Sequence, residues 1–147
     1  VDLTLGQFAA LMDDGSIGIQ DLVDEVVKKL AINIDQELVT NTPVDTGAAR
    51  SNWVASLDAP VDDVIPPYLP YPSVQPNQGQ RFSETDNAEA AMQQAKDVIV
   101  QRETGQDIWI SNNVSYIDDL NSGSSKQAPA LFVDIAIQTG IARIKAL

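Results

Sequence analysis

The side chains in this chain that could do chemistry are almost all carboxylates, and their spacing decides what they could do. Asp45-Thr46-Gly47 is a triplet which, presented as a symmetric pair, lets two carboxylates share one proton and activate a water molecule. Such a triplet belongs in a loop after an apolar strand. Here a long charged segment and Pro43 come directly before it, and no second copy exists, so hydrolysis of the aspartic type would need a homodimer. Asp13 to Asp24 puts Gly18 at the sixth position of a calcium-type loop. Positions three and five are Gly15 and Ile17, which offer no side-chain oxygen, so too few hard ligands remain. Asp62-Asp63 and Asp118-Asp119 are neighbours in sequence, but adjacent residues of a strand or helix point in different directions, so both pairs read as surface charge.

Composition narrows the chemistry further. The 147 residues include no cysteine and no histidine, which removes a disulfide framework, a thiolate nucleophile, the commonest zinc sites and the usual neutral-pH base. No glycine loop suited to cradling phosphate occurs. The reading is therefore of a protein that is not an enzyme, with no catalytic, cofactor-binding or metal-ligating residue assigned. Nine basic against 21 acidic residues give a formal charge of −12, which opposes binding to phosphate backbones. No stretch approaches the roughly 20 apolar residues that cross a bilayer, and the first residues lack a basic region before an apolar run. The expectation is a soluble, unexported chain with no membrane partner. Apolar residues at 44% and charged residues at 20% suit a single globular domain over 1–147.

Periodicity supplies the elements that must position these residues. Thr4 can cap a short lead-in helix carrying Leu5, Phe8, Ala9 and Leu11, within a segment 1–16 that ends in the turn-forming Asp13-Asp14-Gly15-Ser16. Ile19, Leu22, Val23, Val26, Val27, Leu30, Ile34 and Leu38 recur at steps of three and four, tracing the apolar face of a long helix to about residue 40. Its solvated face is expected to carry Asp21, Asp24, Glu25, Lys28, Lys29, Asp35 and Glu37, with Asp24–Lys28 and Glu25–Lys29 at pairing distance. Pro43 stops it. Residues 50–57 alternate enough, with Trp53, Ala55 and Leu57 on one side, to predict a strand. Segment 59–82 holds six of the eight prolines and predicts either a disordered loop or an extended arm ordered by a partner.

The second half repeats the logic. A helix is predicted from residue 85 or 87 to about 102, with Ala88, Ala91, Met92, Ala95, Ile99 and Val98 inward. Ile108-Trp109-Ile110 predicts a short strand, residues 116–120 one or two helical turns, and residues 130–146 a last helix carrying Leu131, Ile135, Ile137, Ile141 and Ile144. Trp53 and Trp109 sit in the two strand candidates, where each can bury a large area, or alternatively anchor an interface.

Two ordered blocks carry a resemblance. Thr42-Pro43-Val44-Asp45-Thr46-Gly47 followed by Arg50-Ser51-Asn52-Trp53, after a long helix, resembles the signature of tailed-phage tail-completion proteins, also called neck or head–tail joining proteins. Downstream, Ile108 to Asn113, Tyr116, Leu120, the Asn121-Ser122-Gly123-Ser124-Ser125 loop, Gln127-Ala128-Pro129 and the final helix look like the second block of the same family. The likeness covers residues 18–57 and 85–140 and leaves the lead-in and the proline-rich segment without a motif.

The resemblance implies an α+β fold: long helices packed on a small curved antiparallel or mixed sheet, with a long proline-rich loop or arm. It implies a structural virion protein, made in the bacterial host cytoplasm, whose subunits close into a homo-oligomeric ring, a hexamer first and a dodecamer second. The ring would stand between portal or adaptor proteins on one side and tail-tube proteins on the other, with DNA passing through the lumen without specific binding. Candidate interface residues are Arg50, Trp53, Tyr68, Leu69, Tyr71, Trp109 and Tyr116, the Tyr68-to-Pro72 stretch being expected to lie across an adjacent subunit. An aspartic-type hydrolase using Asp45 and a generic acidic interaction module are the alternatives.

Overall fold

The computed structural model describes residues 4–15, 18–44, 46–68 and 84–144. Helix α1 spans Leu5–Asp13, α2 Ile19–Asn41, α3 Ala48–Ser51, α4 Glu84–Ile99, α5 Ile117–Asn121 and α6 Phe132–Ala142; strands β1 (Val54–Leu57) and β2 (Ile108–Ser111) complete the order. The fold is α+β, with helices packed on a two-stranded antiparallel sheet.

Local chemistry accounts for the boundaries. Thr4 opens α1 as a reciprocal cap: its Oγ1 accepts from the Gln7 N–H at 3.2 Å while Gln7 Oε1 accepts from the Thr4 N–H at 2.8 Å. At the end of α2, the Thr42 N–H still reaches the Leu38 carbonyl before Pro43 turns the chain away. Gly47 then takes a left-handed φ of 79°, which lets α3 start. Residues 50 and 51, expected as the beginning of a strand, instead close this helical turn, and β1 begins only at Val54.

β1 pairs with β2 in the register Val54↔Ser111, Ala55↔Ile110, Ser56↔Trp109 and Leu57↔Ile108. The other edge of β1 is covered by α4. There Gln94 acts as a substitute strand, its Oε1 accepting from the Ala55 N–H at 3.2 Å and its Nε2 donating to the Ala55 carbonyl at 3.1 Å.

One apolar cluster joins Leu38, Val39, Trp53, Ala91, Ala128, Phe132 and Ala136; a second joins Ala31, Ala55, Ala95 and Ile99. The inward face of α4 is as its spacing predicts, with Ala91, Ala95 and Ile99 buried. Helix α6 contributes Phe132, Ala136 and Gly140 at steps of four. Gly140 is required there, because a Cβ at this position would lie 2.8 Å from the Ile34 Cα. Leu131, Ile135, Ile137 and Ile141 consequently face solvent.

Helix α2 departs from its expected faces. Ile19 and Val23 are exposed, whereas Asp24 and Asp35, assigned to the solvated side, are buried at 9% and 1% exposure. Asp35 lies one turn from Ala31 and from Leu38 on the packed face. The expected Asp24–Lys28 pair gives way to Asp24–Arg102 at 2.9 Å, and Lys28 reaches Glu25 at 3.7 Å.

Candidate functional site

The turn from α2 into β1 is a buried polar corner. Thr42, Arg50, Ser51, Asn52 and Asn87 are each less than 9% exposed, so each polar atom needs a partner inside the protein. Thr42 Oγ1 donates to the Leu38 carbonyl at 2.6 Å and accepts from Trp53 Nε1 at 2.7 Å. Arg50 Nε donates to Asn87 Oδ1 at 3.2 Å, and Asn87 Nδ2 donates to Ser51 Oγ at 2.7 Å. From just after β2 and from the loop after α5, Asn112 Nδ2 donates to the Ala49 carbonyl, and the Gln127 amide exchanges two hydrogen bonds with the Val44 backbone. The two sequence blocks therefore meet at one corner.

The corner also holds the start of the proline-rich segment. Asn52 acts as a strand-like partner for Ile65, accepting from its N–H at 2.8 Å and donating to its carbonyl at 2.9 Å. The Tyr68 N–H donates to Ser51 Oγ, the Tyr68 carbonyl accepts from Asn87, and the Val61 carbonyl accepts from Asn113. Residues 61–68 form a strap over their own subunit. Beneath it, Asp35 is enclosed with neither carboxylate oxygen hydrogen-bonded. Burial pushes its carboxyl up to about 8. The Tyr68 phenol is raised as well, by burial first and then by the charge of Asp35.

Along α2 lies an open groove of about 1430 Å³, walled by α2 from Asp21 to Gln36 and by the chain from Lys96 to Thr104. Asp24 is fixed there by Thr104, Arg102 and Gln20. Those bonds, with Thr104 contributing most and Arg102 next, hold its carboxyl below the usual range.

No family model, no curated protein and no solved structure matches this chain. The residues singled out from sequence separate into two groups. Arg50 and Trp53, named as interface candidates, are each 6% exposed, with Arg50 Nε bonded to Asn87 and the Trp53 indole N–H to Thr42 inside the subunit. Tyr68 is half-buried against its own core. Trp109 and Tyr116 are exposed at 42% and 40% and remain on the surface. Leu69, Tyr71 and Asp45 lie outside the described residues, as do parts of the proline-rich segment and of the turn before α2. Asp62, Asp63, Asp118 and Asp119 are exposed, in keeping with surface charge.

Sequence reasoning missed Asp35 and the groove. The helical step from Ala31 to Asp35 to Leu38 carried the signal for the first, since a carboxylate between two core positions must face the core with them. The second had no local signal, because Lys28, Lys96 and Arg102 converge only through the packing of α2 and α4.

Proposed function

We propose that this chain is a structural virion protein of tailed phages, a neck subunit that forms a ring, completes the tail and joins it to the head connector. The sequence resemblance motivates the reading. The observation that carries it is the distribution of large side chains: Thr42, Arg50, Ser51 and Asn52 of the first block are buried in one internal corner, while Trp109, Tyr116, Leu131, Ile135, Ile137 and Ile141 are left outside. Several of these lie on α6 and at its entrance, and exposed apolar area of this kind suits association with other protein surfaces.

Function in such a subunit resides in interfaces and in the wall of the bore. A heterologous contact repeated about an axis closes into a ring when its rotation fits an integer. The −12 charge per subunit then keeps outgoing DNA from adhering to the wall. Negative-stain imaging of the purified chain, alone and with portal or tail-tube proteins, tests the proposal. Annular particles are the expected result; a chain that stays outside every such assembly and cleaves peptide substrates in an Asp45-dependent way defeats it.

A further inference from the structure

The two-stranded sheet has two outer edges, and the chain treats them differently. On β1, the Ala55 N–H and carbonyl both point away from β2 and are taken up by the Gln94 amide of α4 at 3.2 and 3.1 Å. Backbone groups of an antiparallel pair alternate between the two sides of each strand, so Val54 and Ser56 face β2, and their partners Ser111 and Trp109 face β1. The Asp58 N–H, which donates to the Asp107 carbonyl at 2.9 Å, keeps the same alternation. Ile108 and Ile110 therefore aim their N–H and C=O groups at the outer edge of β2, where none of the described residues hydrogen-bonds to them.

That edge carries none of the usual protection. Proteins blunt an open edge with lysine, proline, a bulge or a covering element. Strand β2 is Ile108-Trp109-Ile110-Ser111, paired with β1 without a bulge, and residues 108–117 hold no charged side chain in a chain of −12. Ile108 and Ile110 pack inward against the two core clusters. Trp109 projects from the opposite face of the sheet and is 42% exposed.

We infer that the outer edge of β2 pairs antiparallel with the same edge of a second copy of this chain, joining two small sheets into one of four strands. Self-complementarity selects that occupant. With Trp109 on the two-fold axis, Ile108 lies opposite the partner's Ile110 and Ile110 opposite the partner's Ile108, so each outward pair exchanges both of its hydrogen bonds. The two Trp109 side chains then stand next to each other at a non-hydrogen-bonded position, where an aromatic pair strengthens the ladder. Asp107 falls opposite the partner's Ser111, so no like charges meet within it. The neighbouring registers set Trp109 against the partner's Asp107 or the partner's Ser111 and lose the aromatic pair. The contact is isologous and ends at two copies, so it stands apart from the contact that closes a ring, which is heterologous.

The chain has no cysteine, so single-cysteine variants of the full chain read the register directly. Trp109→Cys sits on the axis, its Cβ about 4.5–5.5 Å from its counterpart, and is expected to give a disulfide-linked dimer under mild oxidation. Ser111→Cys lies about 13 Å from its counterpart along the strands, at 3.3 Å per residue, and is expected to stay largely unlinked. Sedimentation velocity gives the second measurement. Wild type is expected to dimerise, more tightly in 1 M NaCl than at low salt, because both copies are acidic. Trp109→Lys and Trp109→Glu each put like charges on the axis and are expected to lose the dimer. Their equimolar mixture is expected to regain it, which a misfolded variant would not do. A wild type that stays monomeric, equal linking at the two cysteines, or a mixture that stays monomeric overturns the contact. The ring reading falls separately, if imaging finds no annular particles containing the chain.

Discussion

Trp53 donates its indole N–H to Thr42 Oγ1 at 2.7 Å, and Thr42 donates onward to the Leu38 carbonyl at 2.6 Å. The start of β1 is thereby chained to the last turn of α2 through one hydroxyl. Thr42→Val keeps the shape and removes the acceptor, leaving a buried indole N–H unpaired. The expected loss is about 1–3 kcal/mol of unfolding free energy. Thr42→Ser, which retains the hydroxyl, should recover most of it, and urea denaturation followed by tryptophan fluorescence measures both.

Gly140 poses a contest between two effects of opposite sign. In a free helix, Gly→Ala stabilises by about 1 kcal/mol. Here the added Cβ would lie 2.8 Å from the Ile34 backbone, so α2 and α6 must separate. Overpacking of this kind costs about 1–3 kcal/mol and should win. Gly140→Ala is expected to lower the melting temperature, whereas Gly15→Ala, where nothing lies near the new Cβ, tests only the strain of its φ of 71°.

Asp35 makes stability depend on pH in an unusual direction. Its folded carboxyl is raised to about 8 by burial, well above the ordinary aspartate value of 3.8. Between those two values the unfolded chain binds fewer protons than the folded one, so unfolding free energy falls as pH rises through the window and levels off above it. Asp24 works oppositely: its carboxyl is lowered, so its contribution is present above the unfolded value and lost as pH falls through the folded one. Asp35→Asn should raise the melting temperature at pH 7 and flatten its decline between pH 5 and 8. A decline unchanged in the variant would assign it to other groups.

Asn52 closes both backbone hydrogen bonds of Ile65, at 2.8 and 2.9 Å. Asn52→Ala removes these and the bond to the Ala48 carbonyl together. Hydrogen exchange by mass spectrometry should then show lost protection in peptides covering residues 61–68, with the α2–α4 core largely unchanged. Equal deprotection everywhere would mean the strap is part of the global unfolding unit.

The helices were legible because their evidence is local. Steps of three and four apolar residues, the Thr4 cap, Pro43 and the loop at Asn121 to Ser125 each act within a turn of chain, and the observed α1, α2, α4, α5 and α6 fall close to where that chemistry places them. The α+β class, which the resemblance implied, is observed, and the two short β-rich runs supply its two strands. Residues 50 and 51 were misread because alternation over so short a run does not distinguish a strand from one helical turn followed by a strand.

Sequence alone determined composition, charge, the positions of the longer helices and the pair of blocks that later meet at one corner. Which face each helix spends was decided by packing. Asp35 is buried because α2 turns that stripe toward Phe132 and Tyr68, and the isoleucines of α6 are exposed because Gly140 admits the Ile34 backbone so closely that the small-residue face becomes the inner one. Periodicity reports that a helix has an apolar stripe. The side on which a neighbour lies depends on contacts across about a hundred residues of chain, such as Arg143 with Glu37 over a separation of 106, and only the tertiary structure brings those partners together.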